Sequence, residues 1–368
     1  MPTARIGGID ILRGLALLGV LVINIVFEFR VSIFEQFLPP AGTEAAFDRA
    51  LKFFLAAAVE LKALALFSFL FGVGLAIQFD RLALHPRRLI LLVRRLAVLL
   101  ALGLVHLYLI WNGDILVEYA IAGLVVLPLL YAPRWLVVIA AAAALLLFLI
   151  VPLLSIVQSP SNAWIRAHVV EATRVYGGGG FLDVLSFRIR EVRDIYPLHV
   201  LMFPRTVALF LFGVLAWRSK ILVRAEERRR LLLVFAAVGL IVGAGLAIAE
   251  QWRLGDVVLA AGYAAAVISC VSFPAGERLL AWAAPVGRMA FTNYLMQSLV
   301  LGWIFYGYGL GLFGRLSVSM ALAIGIALYA AQVALSAWWL GRYRYGPVEW
   351  LWRTLMYGKR QPMAVGAG

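Results

Sequence analysis

Residues 103–119 read Gly-Leu-Val-His-Leu-Tyr-Leu-Ile-Trp-Asn-Gly-Asp-Ile-Leu-Val-Glu-Tyr. This stretch places His106, Asp114 and Glu118 at the tip of an apolar hairpin, which predicts two membrane-spanning helices joined by a short turn. Ionisable groups at membrane depth are expensive to bury, so they usually face a protein interior or a watery cavity. The hairpin therefore predicts a polytopic membrane protein with a polar site near one membrane surface.

The composition supports a membrane location along the whole chain. The 368 residues are 64% hydrophobic and 14% charged, whereas soluble domains average roughly 45–50% and about 25%. Apolar runs of about 20 residues recur throughout, which excludes an ordinary soluble domain. The first run carries Asp10 and Arg13 and is not followed by a small-residue cleavage site, so we expect a retained span and not a removed signal peptide.

We expect an all-α fold, a polytopic integral membrane helix bundle forming a single transmembrane domain over residues 1–368. The apolar runs predict about ten transmembrane helices. They cover residues 9–29, 53–78, 89–111, 115–132, 135–155, 201–217, 231–249, 256–273, 289–307 and 318–340.

The distribution of arginine predicts the orientation of the bundle. Clusters at 81–95 and 218–230 fall on one side of the membrane, and the connections 112–114, 250–255 and 308–317 carry almost no basic residues. The positive-inside rule then places both termini in the cytoplasm.

Two segments outside the spans have their own expected structure. Residues 156–200 form a long extracytoplasmic segment, and the part after the four glycines 177–180 has a mixed apolar and basic composition that suits the membrane interface. Residues 341–368 form a cytoplasmic tail. Pro347, Glu349 and Gly358 predict a short interfacial helix within it.

Six polar residues from four predicted spans share one depth. At about 1.5 Å of rise per residue, all of them fall near the extracytoplasmic surface. We therefore expect a shared cavity lined by Asn24, Glu60, Lys62, His106, Asp114 and Glu118.

Purely structural roles are open for the same residues. Asp114 is well placed to cap the following helix, and His106 can hydrogen-bond a neighbouring helix. Glu60 and Lys62 at the membrane boundary can pair or extend toward water. Tyr119 and the tryptophans are typical interface anchors.

A second polar group lies nearer the cytoplasmic surface. Asp10 and Arg13 are three residues apart on one helix, which suits an ion pair as well as substrate binding. Asn293 and Gln297, which follow Arg288, share a helix face and suit either interhelical hydrogen bonds or a substrate site.

The sequence contains no phosphate-binding loop, metal-ligand spacing or serine-hydrolase motif, so we expect no metal and no covalently bound cofactor.

The formal net charge is +14. Because the basic residues lie at span ends, this charge predicts contact with lipid headgroups and no binding of nucleic acid. The excess of Arg over Lys suggests a bacterial source, and we expect a multi-pass protein of the bacterial plasma membrane. The oligomeric state stays open.

Several of these stretches resemble the YeiB-like membrane proteins, a family that carries a domain of unknown function. The resemblance covers essentially the whole chain. It rests on residues 10–25, 66–72, 106–119, 287–298, 305–314 and 345–353.

The resemblance implies a relationship to transmembrane acyltransferases, which use cytosolic acyl donors such as acyl-CoA to modify acceptors across the membrane. The related sugar acyltransferases have an Arg-x10-His motif in their first span. Here Arg13 and Asn24 keep that spacing, but an amide cannot act as a general base. Either His106 supplies the base, or the chain has lost this chemistry.

We therefore expect an acyltransferase. His106 would be the general base, Asp114 or Glu118 would orient it, and Asn24 would stabilise the oxyanion. An extracytoplasmic or lipid-linked acceptor would be the substrate. The substrate-binding residues would be Asp10, Arg13, Glu60, Lys62, Arg288, Asn293 and Gln297, with Arg13 and Arg288 holding the phosphates of acyl-CoA. A transporter or lipid-handling protein using the same polar layer is the alternative, and a non-catalytic membrane subunit is the third possibility.

Overall fold

A computed structural model of the chain describes residues 7–39, 44–151 and 160–365. In that part of the chain the fold is a bundle of helices without β-strands, as the sequence predicts. Helices satisfy every interior backbone group within one segment, which is why apolar spans adopt them. The helices are α1 (Gly7–Ile23), α2 (Ala46–Ala58), α3 (Lys62–Arg81), α4 (Arg88–Val105), α5 (Leu116–Val126), α6 (Arg134–Ile150), α7 (Asn162–Gly178), α8 (Phe181–Arg218), α9 (Arg229–Ile248), α10 (Trp252–Val271), α11 (Pro274–Leu280), α12 (Ala284–Arg288), α13 (Ala290–Phe305), α14 (Val318–Leu340) and α15 (Pro347–Tyr357).

Seven helical segments among the described residues are long and apolar enough to cross a membrane. The other three predicted spans correspond to shorter helices, namely Leu116–Leu130, Arg134–Ile150 and α13. A helix therefore stands at each of the ten predicted positions, and three of the ten are shorter than the usual span of about 20 residues. The seven long segments are Gly7–Phe29, Ala46–Arg81, Arg88–Ile110, Phe181–Arg218, Arg229–Ile248, Trp252–Val271 and Val318–Leu340.

The segment 156–200 is more regular than its composition predicts. Residues 152–159 lie outside the described part of the chain, and from Asn162 onward the segment consists of α7 and the first half of α8. Helix α8 continues through Pro197 and Pro204 for 38 residues. The predicted span 201–217 is thus only the second half of this helix, and His199 lies within it instead of in a connection.

Helices α3 and α8 cross with their backbones in contact. A Cβ atom on Gly72 would lie 2.1 Å from the carbonyl oxygen of Phe210, and one on Gly213 would lie 2.2 Å from that of Phe69. Only glycine fits at these two positions, and small residues of this kind allow close packing of membrane helices. This crossing fixes α8 against α3, and both helices contribute side chains to the site described below.

Three local irregularities shape the bundle near that site. The helix of α1 continues as a π-helical turn from Asn24 to Phe29, and α4 continues as another from His106 to Ile110. Such turns insert an extra residue and change which face the following side chains occupy. Between α2 and α3 the helix breaks at Leu61, whose φ of 58° is unusual for a bulky residue.

The predicted helix in the C-terminal tail is present as α15. Pro347 occupies its first turn, and Gly358 ends it with a left-handed φ of 65°. Glu349 accepts hydrogen bonds from the backbone N–H groups of Phe291, at 2.8 Å, and Thr292, at 3.0 Å. The carboxylate of α15 therefore caps the N-terminus of α13, where negative charge is favourable, and ties the tail to the bundle.

Candidate functional site

A cavity of about 510 Å³ lies between α1, α3, α5, α8 and α10. We call it the His199 cavity. Most of its wall is apolar, yet eight ionisable side chains besides tyrosine line it. They are Glu28, Glu60, Lys62, Glu118, His199, Arg205, Arg253 and Asp256.

A second cavity of about 200 Å³ lies between α1, α3, α4, α13 and α15. We call it the arginine pocket, because four arginines line it against two acidic residues. Both acidic side chains already have partners, since Asp10 lies 3.5 Å from Arg13 and Glu349 caps α13. The pocket is therefore strongly basic. Its arginines are Arg13, Arg95, Arg288 and Arg353.

The two cavities follow one another along α1 and meet at two tyrosines. Arg13 lines the arginine pocket and Asn24 lines the His199 cavity, about three helical turns or roughly 16 Å farther along the helix. Tyr119 and Tyr294 line both cavities and are 3% and 2% exposed. The hydroxyl of Tyr119 is held 2.7 Å from that of Ser68. We call these two shared side chains the partition.

The His199 cavity contains a histidine with one accessible ring nitrogen. Nδ1 of His199 lies 2.9 Å from Oε2 of Glu118, and the hydroxyl of Thr206 donates to the other carboxylate oxygen. The side chain of His199 is 30% exposed, and no described residue hydrogen-bonds Nε2. A carboxylate at Nδ1 favours the tautomer in which Nε2 is the acceptor. The pair thus has the geometry of a general base and its orienting acid.

On the opposite wall, Lys62 and Asp256 form a buried ion pair. Nζ of Lys62 lies 2.7 Å from Oδ1 of Asp256, with the two side chains 7% and 2% exposed. Nζ also donates to the backbone carbonyl oxygen of Ala56 at 3.0 Å. The predicted pairing of Lys62 with Glu60 is replaced by this bond to α10, which leaves Glu60 on the cavity wall.

His106 and Asp114 meet, but away from both cavities. Nδ1 of His106 lies 2.7 Å from Oδ1 of Asp114, and Nε2 lies 2.9 Å from Oγ of Ser298. The other oxygen of Asp114 accepts the N–H of Val117 at 2.7 Å and so caps the first turn of α5. The order Ser–His–Asp resembles a catalytic triad. However, His106 is fully buried and none of the three residues lines either cavity.

The second expected pair also forms interhelical hydrogen bonds. The side-chain amide of Asn293 donates to Oγ of Ser336 at 2.9 Å, and that of Gln297 donates to Oε1 of Gln332 at 2.8 Å. Both partners belong to α14, and neither Asn293 nor Gln297 lines one of the two cavities. Of the two roles left open by the sequence, the structure shows the packing role.

The remaining predicted residues do reach the cavities. Asn24, Glu60, Lys62 and Glu118 line the His199 cavity, and Asp10, Arg13 and Arg288 line the arginine pocket. Eight ionisable lining residues besides the tyrosines were not predicted as site residues. His199 lay in the predicted segment before the span that starts at residue 201, and Arg95 lay within a basic cluster. The eight are Glu28, Arg95, His199, Arg205, Arg253, Asp256, Glu349 and Arg353.

Metal binding finds no support in the part of the chain that the structure describes. No three histidine, cysteine, aspartate or glutamate side chains come together there as a metal site would require. Several of the ionisable groups instead form pairs, and what the two cavities offer is a base, fixed charges and an apolar wall.

Apolar helices surrounding buried ionisable cavities define a polytopic membrane protein. Residues 216–359 match the model of a family described as a protein of unknown function, DUF418. The chain is 36% identical to the uncharacterised protein YxaH of Bacillus subtilis, over 99% of this chain and 97% of the relative. It is 31% identical to the uncharacterised protein YeiB of Escherichia coli, over 94% and 95%. No solved structure gives a significant match. The chain belongs to the YeiB-like family.

Proposed function

We propose that the protein is a membrane-bound acyltransferase that moves an acyl group from an anionic thioester donor to an acceptor in the His199 cavity. The observation that carries the proposal is the position of the His199–Glu118 pair. It lies in a cavity that adjoins a basic pocket across Tyr119 and Tyr294. A donor and an acceptor approaching from opposite sides would meet at this partition.

The arginine pocket supports the donor half of the proposal. Guanidinium groups bind phosphate oxygens through paired hydrogen bonds, and they are more weakly hydrated than ammonium groups. Arg95 is held over the ring of Trp352, 4.0 Å from its centroid, and Nε of Arg95 has no hydrogen-bond partner among the described residues. Acyl-CoA carries phosphates at one end and the thioester at the other. Its phosphates would bind these arginines, with the thioester directed toward the tyrosines.

His199 would supply the base for the transfer itself. Nε2 takes the proton of an acceptor hydroxyl or amine, and the acceptor atom attacks the thioester carbonyl carbon. The tetrahedral intermediate collapses with cleavage of the carbon–sulfur bond, and the imidazolium returns its proton to the thiolate. Glu118 stabilises the imidazolium in between. Asn24, which lines the same cavity, is our candidate donor to the oxyanion.

Acyl transfer in proteoliposomes tests the proposal. Purified protein is given acyl-CoA of several chain lengths and a bacterial lipid extract, with release of the CoA thiol and the masses of acylated products as readouts. His199→Gln is expected to lower the rate by about 10²-fold or more. His168→Gln is the matched control, because His168 also binds a buried carboxylate, that of Glu191 at 2.7 Å, but lines neither cavity. A full rate in His199→Gln, or no acylated product from the wild type, would contradict the proposal.

A transporter is the second candidate, favoured by the partition itself. Two cavities that contain ionisable groups and share two buried tyrosines would also suit a substrate path interrupted at its centre. The same proteoliposomes distinguish the two functions, since transport moves a solute across the bilayer without forming a covalent product. Finding neither activity would favour a non-catalytic subunit.

A further inference from the structure

Arg205 is a buried cation whose hydrogen-bonding capacity is largely unused. It lies on α8 in the wall of the His199 cavity and is 3% exposed. Its Nε and Nη1 atoms are buried and make no hydrogen bond within the described residues. A buried charged group without a partner is costly, and native structures normally provide one.

The acidic side chains around Arg205 are engaged elsewhere. Glu118 is bound by His199 and Thr206, and Asp256 is paired with Lys62. None of the ion pairs formed by described residues within 4.0 Å involves Arg205. Among the described residues the guanidinium therefore has no anion of its own, and it lies beside an internal space large enough for a ligand.

A second buried arginine on the same helix shows what distinguishes Arg205. Arg188 is 1% exposed and also has two unpartnered nitrogens, Nε and Nη2. It nevertheless donates Nη1 to the carbonyl oxygen of Leu109 at 3.0 Å and lines neither cavity. Incomplete hydrogen bonding is shared by both residues, whereas only Arg205 adjoins a cavity that can hold an anion.

We propose that Arg205 binds the anionic group, a phosphate or a carboxylate, of an amphiphilic ligand in the His199 cavity. The apolar part of the ligand would lie along the apolar wall that surrounds the polar groups. That wall includes Val20, Ile23, Phe27, Leu198, Leu201 and Met202.

The spacing along α8 limits what kind of ligand fits. Arg205 follows His199 by six positions in one continuous helix, which is about 9 Å of rise. An acceptor held by Arg205 would therefore reach His199 with a hydroxyl or amine that lies on the order of 9 Å from its anionic group, which is the length of a linker of several atoms. This assignment of the ligand as the acceptor rests on the proposed acyl transfer, whereas the binding site itself does not.

Binding of dodecyl phosphate provides the test. The full-length protein in a neutral maltoside detergent is titrated with ³²P-labelled dodecyl phosphate, and inorganic phosphate and dodecanol are the competitors. Arg205→Gln is expected to weaken binding at least tenfold, Arg205→Lys to weaken it less, and Arg188→Gln to leave it unchanged. Dodecanol and inorganic phosphate should each compete far more weakly than unlabelled dodecyl phosphate.

Melting temperature without ligand separates a binding role from a structural one. Removing a buried charge that has no partner should leave the stability of the ligand-free protein unchanged or increased. If Arg205→Gln binds dodecyl phosphate like the wild type, or if inorganic phosphate competes as well as dodecyl phosphate, the inference is overturned. A lower melting temperature in both Arg205 variants together with normal affinity in Arg205→Lys would also overturn it, because it would indicate a structural cation.

The result is independent of acyl transfer. Binding that depends on Arg205, without any acylated product, would support the inference and contradict the proposed function. Acyl transfer that requires His199, with binding unaffected by Arg205→Gln, would support the proposed function and contradict the inference.

Discussion

Replacing His106 by alanine should damage the stability of the protein, whereas replacing His199 should damage its activity. The two histidines each bind a carboxylate, but they differ in burial. His106 is fully buried with both ring nitrogens bonded, and the side chain of His199 is 30% exposed with one nitrogen bonded. The comparison therefore tests which of them is structural.

The size of the effect follows from the bonds that each substitution removes. His106→Ala loses about 1 kcal/mol for the bond to Ser298 and about 2 kcal/mol for the bond to Asp114. It also leaves one carboxylate oxygen of Asp114 buried without its partner, which costs about 1 kcal/mol or more. The sum is about 4 kcal/mol. His199→Ala loses one bond in a partly exposed site, where about 1 kcal/mol is expected.

Thermal melting in detergent measures this difference. At about 2.1 cal/mol/K per residue, the 368 residues give an unfolding entropy of roughly 0.8 kcal/mol/K. A loss of 4 kcal/mol then lowers the melting temperature by about 5 °C, and 1 kcal/mol lowers it by about 1 °C. Combining His106→Ala with Asp114→Ala should lose less than the sum of the single losses, because the two residues share one bond.

The opposite pattern would refute the reasoning. If His106→Ala melted like the wild type but abolished acyl transfer, His106 would be the catalytic base that the sequence suggests, and the buried arrangement would be only one state of the site. If both variants kept full activity, neither histidine would be the base and the proposed mechanism would fail.

Two further predictions concern buried charges elsewhere. Lys62→Met should lower the free energy of unfolding by about 3 kcal/mol, because it leaves Asp256 buried without its cation. Adding Asp256→Leu should recover most of that loss. A double variant whose melting temperature is no higher than that of Lys62→Met would contradict this. Burial raises the pKa of Glu349. The folded protein therefore keeps this proton to a higher pH than the unfolded chain does. As a result, the stability contributed by this group falls as pH rises from the ordinary glutamate range through the raised pKa. Glu349→Gln should flatten that decline in melting temperature as pH rises above the ordinary glutamate range, and an unchanged slope would show that other groups cause it.

The positions of the helices could be predicted because a membrane helix is specified by the hydrophobicity of consecutive residues. A run of about 20 apolar residues is visible without any knowledge of neighbours. Counting residues along those runs also placed Asn24, Glu60 and Glu118 at one depth, and the structure brings all three to one cavity. Depth is available from the sequence because the rise of a helix is constant.

Whether a residue on a helix faces the cavity or a neighbouring helix could not be predicted in the same way. His106 has the depth expected for a site residue, yet its bonds to Asp114 and Ser298 hold it in the packed interior. Which face of α4 meets the cavity depends on how the neighbouring helices pack against it. A single sequence gives no signal for that packing, so the cavity-lining histidine could not be chosen from depth alone.

His199 was missed for a different reason. The mixed apolar and basic composition of the stretch after the four glycines placed it outside the spans, so the predicted span began at residue 201 and His199 fell in the connection before it. In the structure α8 passes through both Pro197 and Pro204. The signal that could have identified the residue was the presence of His199, Arg205 and Thr206 within one apolar stretch.

The two tyrosines that line both cavities also bear on what can move between them. Tyr119 and Tyr294 are 3% and 2% exposed, and each side chain belongs to both walls. Replacing both by alanine would remove the side chains that the two spaces share and widen the junction between them. The bulk of these two rings thus limits the size of any group that could pass from the arginine pocket to the His199 cavity.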